Sequence, residues 1–372
     1  RRVGHLRHQR QSQTQTNLRH CWLPVLSSCI GARADAFARS KRGALMWRSF
    51  LLLHLFSTSA TPPPQTTVAA YLPEWRYEGA NWVDISKTVT QLILFSLEVQ
   101  PSGRLSAHDR LPRKELMLEA RAATRAAGTK LLLCIGGNGR SAGFAHAVSK
   151  NASRTLFVDS LLALLDKHDL DGVDLNWEYP GYSFGSGYHA DDAIQRDYKG
   201  LSLLVKKMAK AFRPSGRIIT LAYYPDGKQE KLLLDHNLHK HVANMHMMSY
   251  DQPGKHSTLD WSREVASRGA GILPPELLTL GVPFYGRHIK TGDWKSYEDL
   301  VQMNAALLKN RPEVDEAGGY YFNGPWTIAK KVQLARSLGL GGVMIWEVGQ
   351  DCRRNAVVHG ETKHAVTCPQ GE

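Results

Sequence analysis

The chain has 372 residues, of which 42% are hydrophobic and 22% charged, a globular composition that excludes a disordered, collagen-like or coiled-coil protein. The formal net charge is +13, but residues 1–45 hold eight Arg and one Lys against one acid, so they supply +8 of it. From Val68 onward only +4 remains once Arg48 is set aside, which argues against nucleic acid as a partner.

Residues 1–67 are predicted to be a leader. Met46 is followed by a basic residue and an apolar run, and small residues fill 57–60, the pattern of a secretory signal peptide over 46–60. Residues 1–45 would then be untranslated; an organelle-targeting peptide is the alternative, because this segment is rich in Arg and poor in acids. Three prolines at 62–64 form a stiff spacer. We expect a secreted protein without a membrane span after leader removal.

Removal of the leader would leave three cysteines. Cys134 stands inside the apolar run LLLCIGG and is expected to be a buried thiol. Cys352 and Cys368 either bridge and fix a C-terminal tail at 353–372 or remain free, and the sequence favours neither state.

Eight short apolar runs, typical of strands, follow between Val68 and residue 352. They are 68–73, 92–97, 130–137, 172–178, 217–225, 244–251, 277–286 and 341–347. Amphipathic helical segments such as 113–128 and 153–168 separate most of them. This alternation predicts an α/β fold with parallel strands, and it favours a closed (β/α)8 TIM barrel over an open doubly wound sheet, for which no GxGxxG or Walker motif is present.

The fourth strand-like run carries an unusual density of polar residues. It contains Asp171, Asp174, Asn176 and Glu178. Because alternate side chains of a strand share a face, Asp174, Asn176 and Glu178 are expected to point together into the barrel. A structural hydrogen-bond network is one explanation, but burying carboxylates is costly, and active groups of this fold lie at the carboxyl ends of the strands. Catalysis therefore explains the pattern better.

The segment DGVDLNWEYPG at 171–181 resembles the DGxDxDxE signature of glycoside hydrolase family 18, the chitinases and their relatives. LLLCIGG resembles the strand-three SxGG run with Cys134 in place of Ser, and MMSYD at 247–251 resembles the strand-six MxYD motif. GVPFYGR at 281–287 and Trp346 match the strand-seven segment and the strand-eight tryptophan. The resemblance runs from Val68 to about Cys352 in the family's order.

This resemblance implies retaining hydrolysis of chitin, a β-1,4-linked N-acetylglucosamine polymer, in which the substrate's own acetamido group attacks the anomeric carbon. Glu178 would be the general acid and base, with neither cofactor nor metal, in a protein expected to be monomeric. The other implied catalytic residues are Asp171, Asp174, Asn176, Tyr250 and Asp251. The candidate substrate-binding residues are Trp346, Tyr71, Trp75, Tyr223, Tyr179 and Arg287.

Asn176 departs from the resembled family, which has Asp two residues before the acid. An amide accepts an N–H hydrogen bond but supplies no charge, which predicts attenuated turnover and a lower or narrower pH optimum. Two other functions stay open: a chitin-binding, lectin-like protein with little turnover, or an endo-β-N-acetylglucosaminidase acting on N-glycans. Retention of Glu178 favours the hydrolase.

Three further expectations concern the surroundings of this site. The segment between Arg287 and Trp346 is too short for the family's usual α+β insertion domain, which predicts an open cleft and endo-acting cleavage. The loop 181–192 is expected at the rim of the cleft, and Glu347 is expected to be structural or a neighbour of Arg287. The His-rich stretch 236–241 lacks a metal-binding arrangement.

Overall fold

The computed structural model of the chain describes residues 66–304, 307, 311–351, 355–358 and 361–364. The leader up to residue 65, Cys21, Cys29 and the Cys352–Cys368 pair lie outside these described residues. Within the expected tail, two strands over Asn355–Val358 and Glu361–His364 pair in antiparallel fashion.

Eight parallel strands close into a barrel. Each pairs with the next in chain order, and the first also pairs with the last, which confirms the predicted (β/α)8 fold. The strands are β1 (Thr67–Pro73), β2 (Gln91–Val99), β3 (Lys130–Gly136), β4 (Gly172–Asn176), β5 (Ile218–Tyr223), β6 (Asn244–Met247), β7 (Leu278–Pro283) and β8 (Gly342–Trp346).

Helices surround the barrel and pack their apolar faces on the strands. They are α1 (Trp82–Thr88), α2 (Lys114–Ala127), α3 (Phe144–Ser149), α4 (Asn151–His168), α5 (Asp191–Phe212), α6 (Lys228–Asp235), α7 (Leu259–Ala270), α8 (Tyr297–Met303) and α9 (Pro325–Ser337). Their ends follow local chemistry. The Thr258 hydroxyl accepts the Trp261 N–H at the start of α7, and Gly128 at φ 72° ends α2.

The strands bury both faces, and the two faces meet different cores. Outward residues pack against the helices in the main hydrophobic core, which includes Leu133, Val173 and Tyr223. Inward residues form a smaller cluster inside the barrel, with Tyr71, Phe95, Cys134, Met248 and Tyr250 among them. Cys134 is a buried free thiol, as its apolar surroundings predict.

A small antiparallel sheet follows β7, in the region expected to lack an insertion domain. Its strands are Tyr285–His288, Trp294–Ser296, Glu316–Ala317 and Tyr320–Tyr321, and α8 leaves its second strand. The loop after β4 also folds, as a hairpin of Tyr182–Ser183 and Gly187–Tyr188. Over the part of the chain that the structure describes, no helix is both long and apolar enough to cross a membrane.

Candidate active site

A cleft of about 720 Å³ opens where the strands reach their carboxyl ends. Nine of the site residues predicted from the sequence line this cleft: Tyr71, Trp75, Asn176, Glu178, Tyr179, Tyr250, Asp251, Arg287 and Trp346. Loops of the barrel's other strands complete the wall. The cleft therefore lies where this fold carries its reactive groups.

Asp174 lies under the cleft and is fully buried on the inward face of β4. Its Oδ2 accepts the Tyr71 hydroxyl at 2.8 Å and its Oδ1 accepts the Thr220 hydroxyl at 2.7 Å. The Cys134 thiol also donates to this carboxyl, and His246 Nε2 lies 3.8 Å from Oδ1. Hydrogen-bond donors therefore surround the buried Asp174 carboxyl, which offsets part of the cost of burying it.

Asn176 is the next inward residue of β4 and is also buried. Its side chain donates to the Glu178 carboxyl, while its Oδ1 has no hydrogen-bond partner among the described residues. A buried amide oxygen without a partner is energetically costly. It is available to accept an N–H group from a molecule bound in the cleft.

Glu178 follows β4 and lies at the floor of the cleft. Burial raises its pKa to about 7, assisted by the charge of Asp251 and opposed by hydrogen bonds from Asn176 and the Asn138 backbone. Near neutral pH this carboxyl can therefore exchange between its protonated and its charged form. A carboxylic acid with a pKa near the working pH is suited to general acid and base catalysis.

Asp251 has the opposite character. Its Oδ1 accepts the Tyr285 hydroxyl and Arg287 Nε, both at 2.6 Å, and His256 Nδ1 lies 3.7 Å away. Burial alone would raise its pKa, but His256, Arg287 and Tyr285 outweigh that effect and lower the pKa to about 2. Asp251 is consequently a fixed negative charge in the cleft.

Aromatic rings gather on the side of the cleft formed by β8, β1 and β2. Trp346 lies 5.4 Å from Tyr71 and 4.8 Å from Phe95 between ring centroids. Trp75 contacts Phe95 from the rim and is 56% exposed. A flat exposed ring such as that of Trp75 is suited to stacking against the apolar face of a sugar ring.

A second aromatic group lies across the cleft, beyond β4 and β5. Tyr179 contacts Tyr182 and Phe184 at 5.8 Å and Tyr224 at 6.1 Å. Phe184 stands on the hairpin after β4 and is 58% exposed. The expected rim loop is thus an ordered, aromatic part of the cleft wall.

Besides Asp174, which lies under the cleft, two predicted site residues do not line it. Asp171 precedes β4 at the opposite end of the barrel, where both oxygens accept Arg121 and one also accepts the Leu131 N–H. Tyr223 occupies an outward position of β5 and packs in the helix-facing core. The catalytic expectation for Asp171 and the groove expectation for Tyr223 are corrected accordingly. Strand alternation places Tyr224, the next residue, in the cleft instead.

Glu347, expected to be structural or a neighbour of Arg287, has contacts of its own in the cleft wall. It lines the cleft, is buried, and accepts Arg76 Nε at 3.1 Å and the Gly349 N–H at 2.7 Å, so Arg76 is a cationic partner of this carboxyl. Asp226 and Trp294 line the cleft as well, although no motif indicated them. Asp226 follows β5, and Trp294 begins a strand of the small sheet after β7. Neither belongs to one of the strand motifs.

Comparison with known proteins places this geometry in a family. The family model described as "Glycosyl hydrolases family 18" matches residues 67–351. The chain belongs to glycosyl hydrolase family 18. The resemblance inferred from the strand motifs is therefore confirmed, and the match spans the whole barrel.

Several curated relatives of this glycosyl hydrolase are named chitinases. The chain is 25% identical over 287 residues to "Probable chitinase 2" of Drosophila melanogaster, covering 60% of this chain and 56% of that one. It is 28% identical over 285 residues to "Endochitinase" of Manduca sexta, covering 60% of this chain and 50% of the relative. The chain thus spans about half the length of these relatives.

Solved structures share the fold. A chitinase from Bacteroides thetaiotaomicron aligns with a TM-score of 0.64 at 20% identity, over 77% of this chain and 91% of that one. The Group IV chitinase of Ostrinia furnacalis, solved in complex with allosamidin, aligns with a TM-score of 0.60 at 19% identity, over 76% of this chain and 92% of the other. These likenesses support the barrel architecture.

The described residues contain no cluster of three or more His, Cys, Asp or Glu side chains placed to hold a metal ion. In the His-rich stretch, His236 Nε2 is 2.8 Å from Gln195 Oε1 and its ring stacks on Tyr198. These contacts give His236 a packing role on the outer, helical layer.

Proposed function

We propose that this family 18 glycosidase hydrolyses β-1,4-linked N-acetylglucosamine chains, with Glu178 as general acid and base. The observation that carries the proposal is the environment of Glu178, whose pKa is raised to about 7 on the floor of an aromatic cleft. The chitinase names of the relatives and the allosamidin complex of one structural neighbour support the choice of substrate.

In the proposed first step, protonated Glu178 donates its proton to the glycosidic oxygen as the bond to the leaving sugar breaks. The carbonyl oxygen of the substrate's 2-acetamido group attacks the anomeric carbon and forms a cyclic oxazolinium ion. In the second step, the Glu178 carboxylate removes a proton from water, and that water opens the ring with retained configuration. The enzyme itself supplies no nucleophile.

The neighbouring residues are assigned by their contacts. The unpartnered Oδ1 of Asn176 accepts the acetamido N–H, which holds the attacking oxygen in place. The Asp174 carboxyl, held under the cleft by Tyr71 and Thr220, offsets part of the positive charge that develops on the ring. Tyr250 and Asp251 line the cleft beside Glu178 and contact the sugar, which rests on Trp346.

The decisive experiment compares hydrolysis of a fluorogenic chitotriose by the wild type and by Glu178→Gln. We expect measurable turnover in the wild type and a loss of at least a hundredfold in kcat in the variant, because the amide cannot transfer the proton. Binding of unlabelled chitotriose to both proteins is the control for an intact cleft. A silent wild type that binds chitotriose as tightly as Glu178→Gln would support a lectin-like protein instead.

A second substrate separates the two hydrolase alternatives. The acetamido chemistry is the same for chitin and for the chitobiose core of an N-glycan, so the wild type is offered chitohexaose and a high-mannose glycopeptide in parallel. We expect cleavage of chitohexaose. Preferential release of the glycan from the peptide would contradict the chitin assignment and support an endo-β-N-acetylglucosaminidase.

A further inference from the structure

Lys331 on α9 is fully buried, although it belongs to no motif of the site. Its Nζ donates to the Ser257 carbonyl oxygen at 2.9 Å and to the Ser257 hydroxyl at 2.7 Å. Asn323 Nδ2 donates to the same carbonyl at 2.8 Å. Burying an amine is costly. Packing alone therefore does not explain why a lysine is buried here with its amine directed at Ser257.

Ser257 closes a segment that passes through the cleft. Its hydroxyl donates to the Ser249 carbonyl oxygen at 2.9 Å, and the Ser249 hydroxyl donates to the Gly281 carbonyl oxygen on β7 at 2.8 Å. Residues 249–257, here called the β6 segment, therefore have their two ends joined directly. The β6 segment carries Tyr250 and Asp251, so the Lys331 amine contacts its far end.

His256 connects that end to Asp251. The ring is fully buried, its Nδ1 is 3.7 Å from Asp251 Oδ1, and its centroid is 5.0 Å from that of Tyr285. Tyr285 in turn donates to Asp251. Asp251 has φ 66°, a left-handed conformation that a non-glycine residue keeps only where its surroundings hold it.

We propose that Lys331 is a positioning residue of the glycosidase site, which acts through Ser257 to hold the β6 segment and thereby Asp251 and Tyr250 in the cleft. The inference rests on the proposed function, because that function assigns Asp251 and Tyr250 to the substrate. Lys331 does not touch the cleft, so its role is distinct from that of a catalytic residue.

The support does not depend on the charge of Lys331. Burial lowers the pKa of Lys331 to about 7, opposed by the charge of Asp315. Within the β6 segment, His256 is a titratable group that interacts electrostatically with the Lys331 amine. A neutral amine keeps two hydrogens, enough for both bonds to Ser257. The contacts therefore persist on either side of neutral pH.

The test is Lys331→Met, which keeps the length of the side chain but cannot donate. The matched control is Lys330→Met, the exposed neighbour on α9. With chitotriose as substrate, we expect Lys331→Met to lower kcat at least tenfold. The acid limb of its pH profile should also move to higher pH, because a displaced Asp251 loses the donors that hold its pKa at about 2. Lys330→Met should match the wild type in both respects.

A folded Lys331→Met protein with wild-type kcat and an unmoved acid limb would overturn the proposal. If Lys331→Met does not fold, Ser257→Ala replaces it, since it removes only the hydroxyl link; the same two changes are expected, and their absence is equally fatal. If the wild type itself shows no turnover, the proposed function fails separately. The readout is then chitotriose affinity, which Lys331→Met should weaken at least tenfold and Lys330→Met should leave unchanged.

Discussion

At the residue scale, Glu178 and Asp251 share one cleft, but their pKa values lie on opposite sides of the usual carboxyl range. Burial raises that of Glu178 to about 7. For Asp251, burial is outweighed by His256, Arg287 and Tyr285, and the pKa falls to about 2. The difference follows from partners, because Asp251 is bonded to a cation and Glu178 to a neutral amide. One group can therefore exchange a proton near neutral pH while the other stays charged.

This difference predicts the alkaline side of the pH profile. The first proposed step needs protonated Glu178, so kcat/KM should be constant between about pH 4 and 6 and fall about tenfold per pH unit above about 7. The measurement is kcat/KM on chitotriose between pH 4 and 9, with circular dichroism at each pH as the control for folding. A flat profile across pH 7 would contradict the assignment of Glu178 as the acid.

Asn176→Asp should increase turnover. A charge-assisted hydrogen bond to the acetamido N–H exceeds a neutral one by about 1 to 2 kcal/mol, or roughly 5- to 30-fold in kcat if the gain is confined to the transition state. The added negative charge beside Glu178 should also raise that pKa and move the alkaline limb to higher pH. Both changes are read from one set of pH-dependent kinetics. Unchanged or lower kcat would show that Asn176 does not limit the reaction.

At the element scale, the three-residue turn Glu74–Arg76 after β1 is held on both sides. Arg140 makes a forked ion pair with Glu74, at 2.6 and 3.2 Å, and its guanidinium lies 5.8 Å from the Trp75 ring. On the other side Arg76 pairs with buried Glu347. Because both neighbours of Trp75 are held by ion pairs, its ring can be exposed to solvent and still keep a defined position.

Arg76→Met tests this arrangement. It withdraws the cation from a carboxyl that is only 1% exposed, and breaking a buried pair in this way should lower the free energy of unfolding by roughly 3 kcal/mol. Urea denaturation measures the loss. The control is Arg113→Met, because Arg113 pairs with Glu78 at the surface and its loss should lower the free energy of unfolding far less. Equal effects in the two variants would contradict the structural role of the Arg76 pair.

The strands and helices are predictable from the sequence where a regular pattern of apolar residues marks them. Apolar runs and helical periodicity identified the barrel, and alternation along β4 identified Asp174, Asn176 and Glu178. The motif predicts a catalytic role for Asp171, but Asp171 precedes β4 whereas Glu178 follows it, so the length of the strand separates the two carboxyls. Pairings between distant segments, such as Arg76 with Glu347 or Lys331 with Ser257, carry no sequence signal because no local pattern encodes them.

At the scale of the whole molecule, the cleft crosses the barrel mouth. The strand order places β8, β1 and β2 opposite β4 and β5, so the aromatic group around Trp346 faces the group around Tyr179. Glu178 lies in the cleft that both groups line. A sugar chain that used both groups would extend past Glu178 in both directions, which favours cleavage within the chain.

Phe184→Ala tests the contribution of the far side. Loss of one exposed stacking ring should raise KM for chitohexaose roughly fivefold, about 1 kcal/mol, and leave chitotriose hydrolysis nearly unchanged if the trimer is bound on the Trp346 side. The matched control is Leu203→Ala, an exposed residue of α5 outside the cleft lining. Equal KM changes for the two substrates would show that Phe184 does not bind the distal sugars.

The buried thiol of Cys134 offers a way to measure how often the barrel opens. The sulfur lies in the barrel interior, bonded to Asp174, and burial raises its pKa well above the usual value. A disulfide reagent can reach it only when the strands separate, so the rate of modification counts opening events. In a variant whose other four cysteines are serine, the rate of Cys134 modification would measure how often the strands around the candidate active site separate, with and without a bound oligosaccharide.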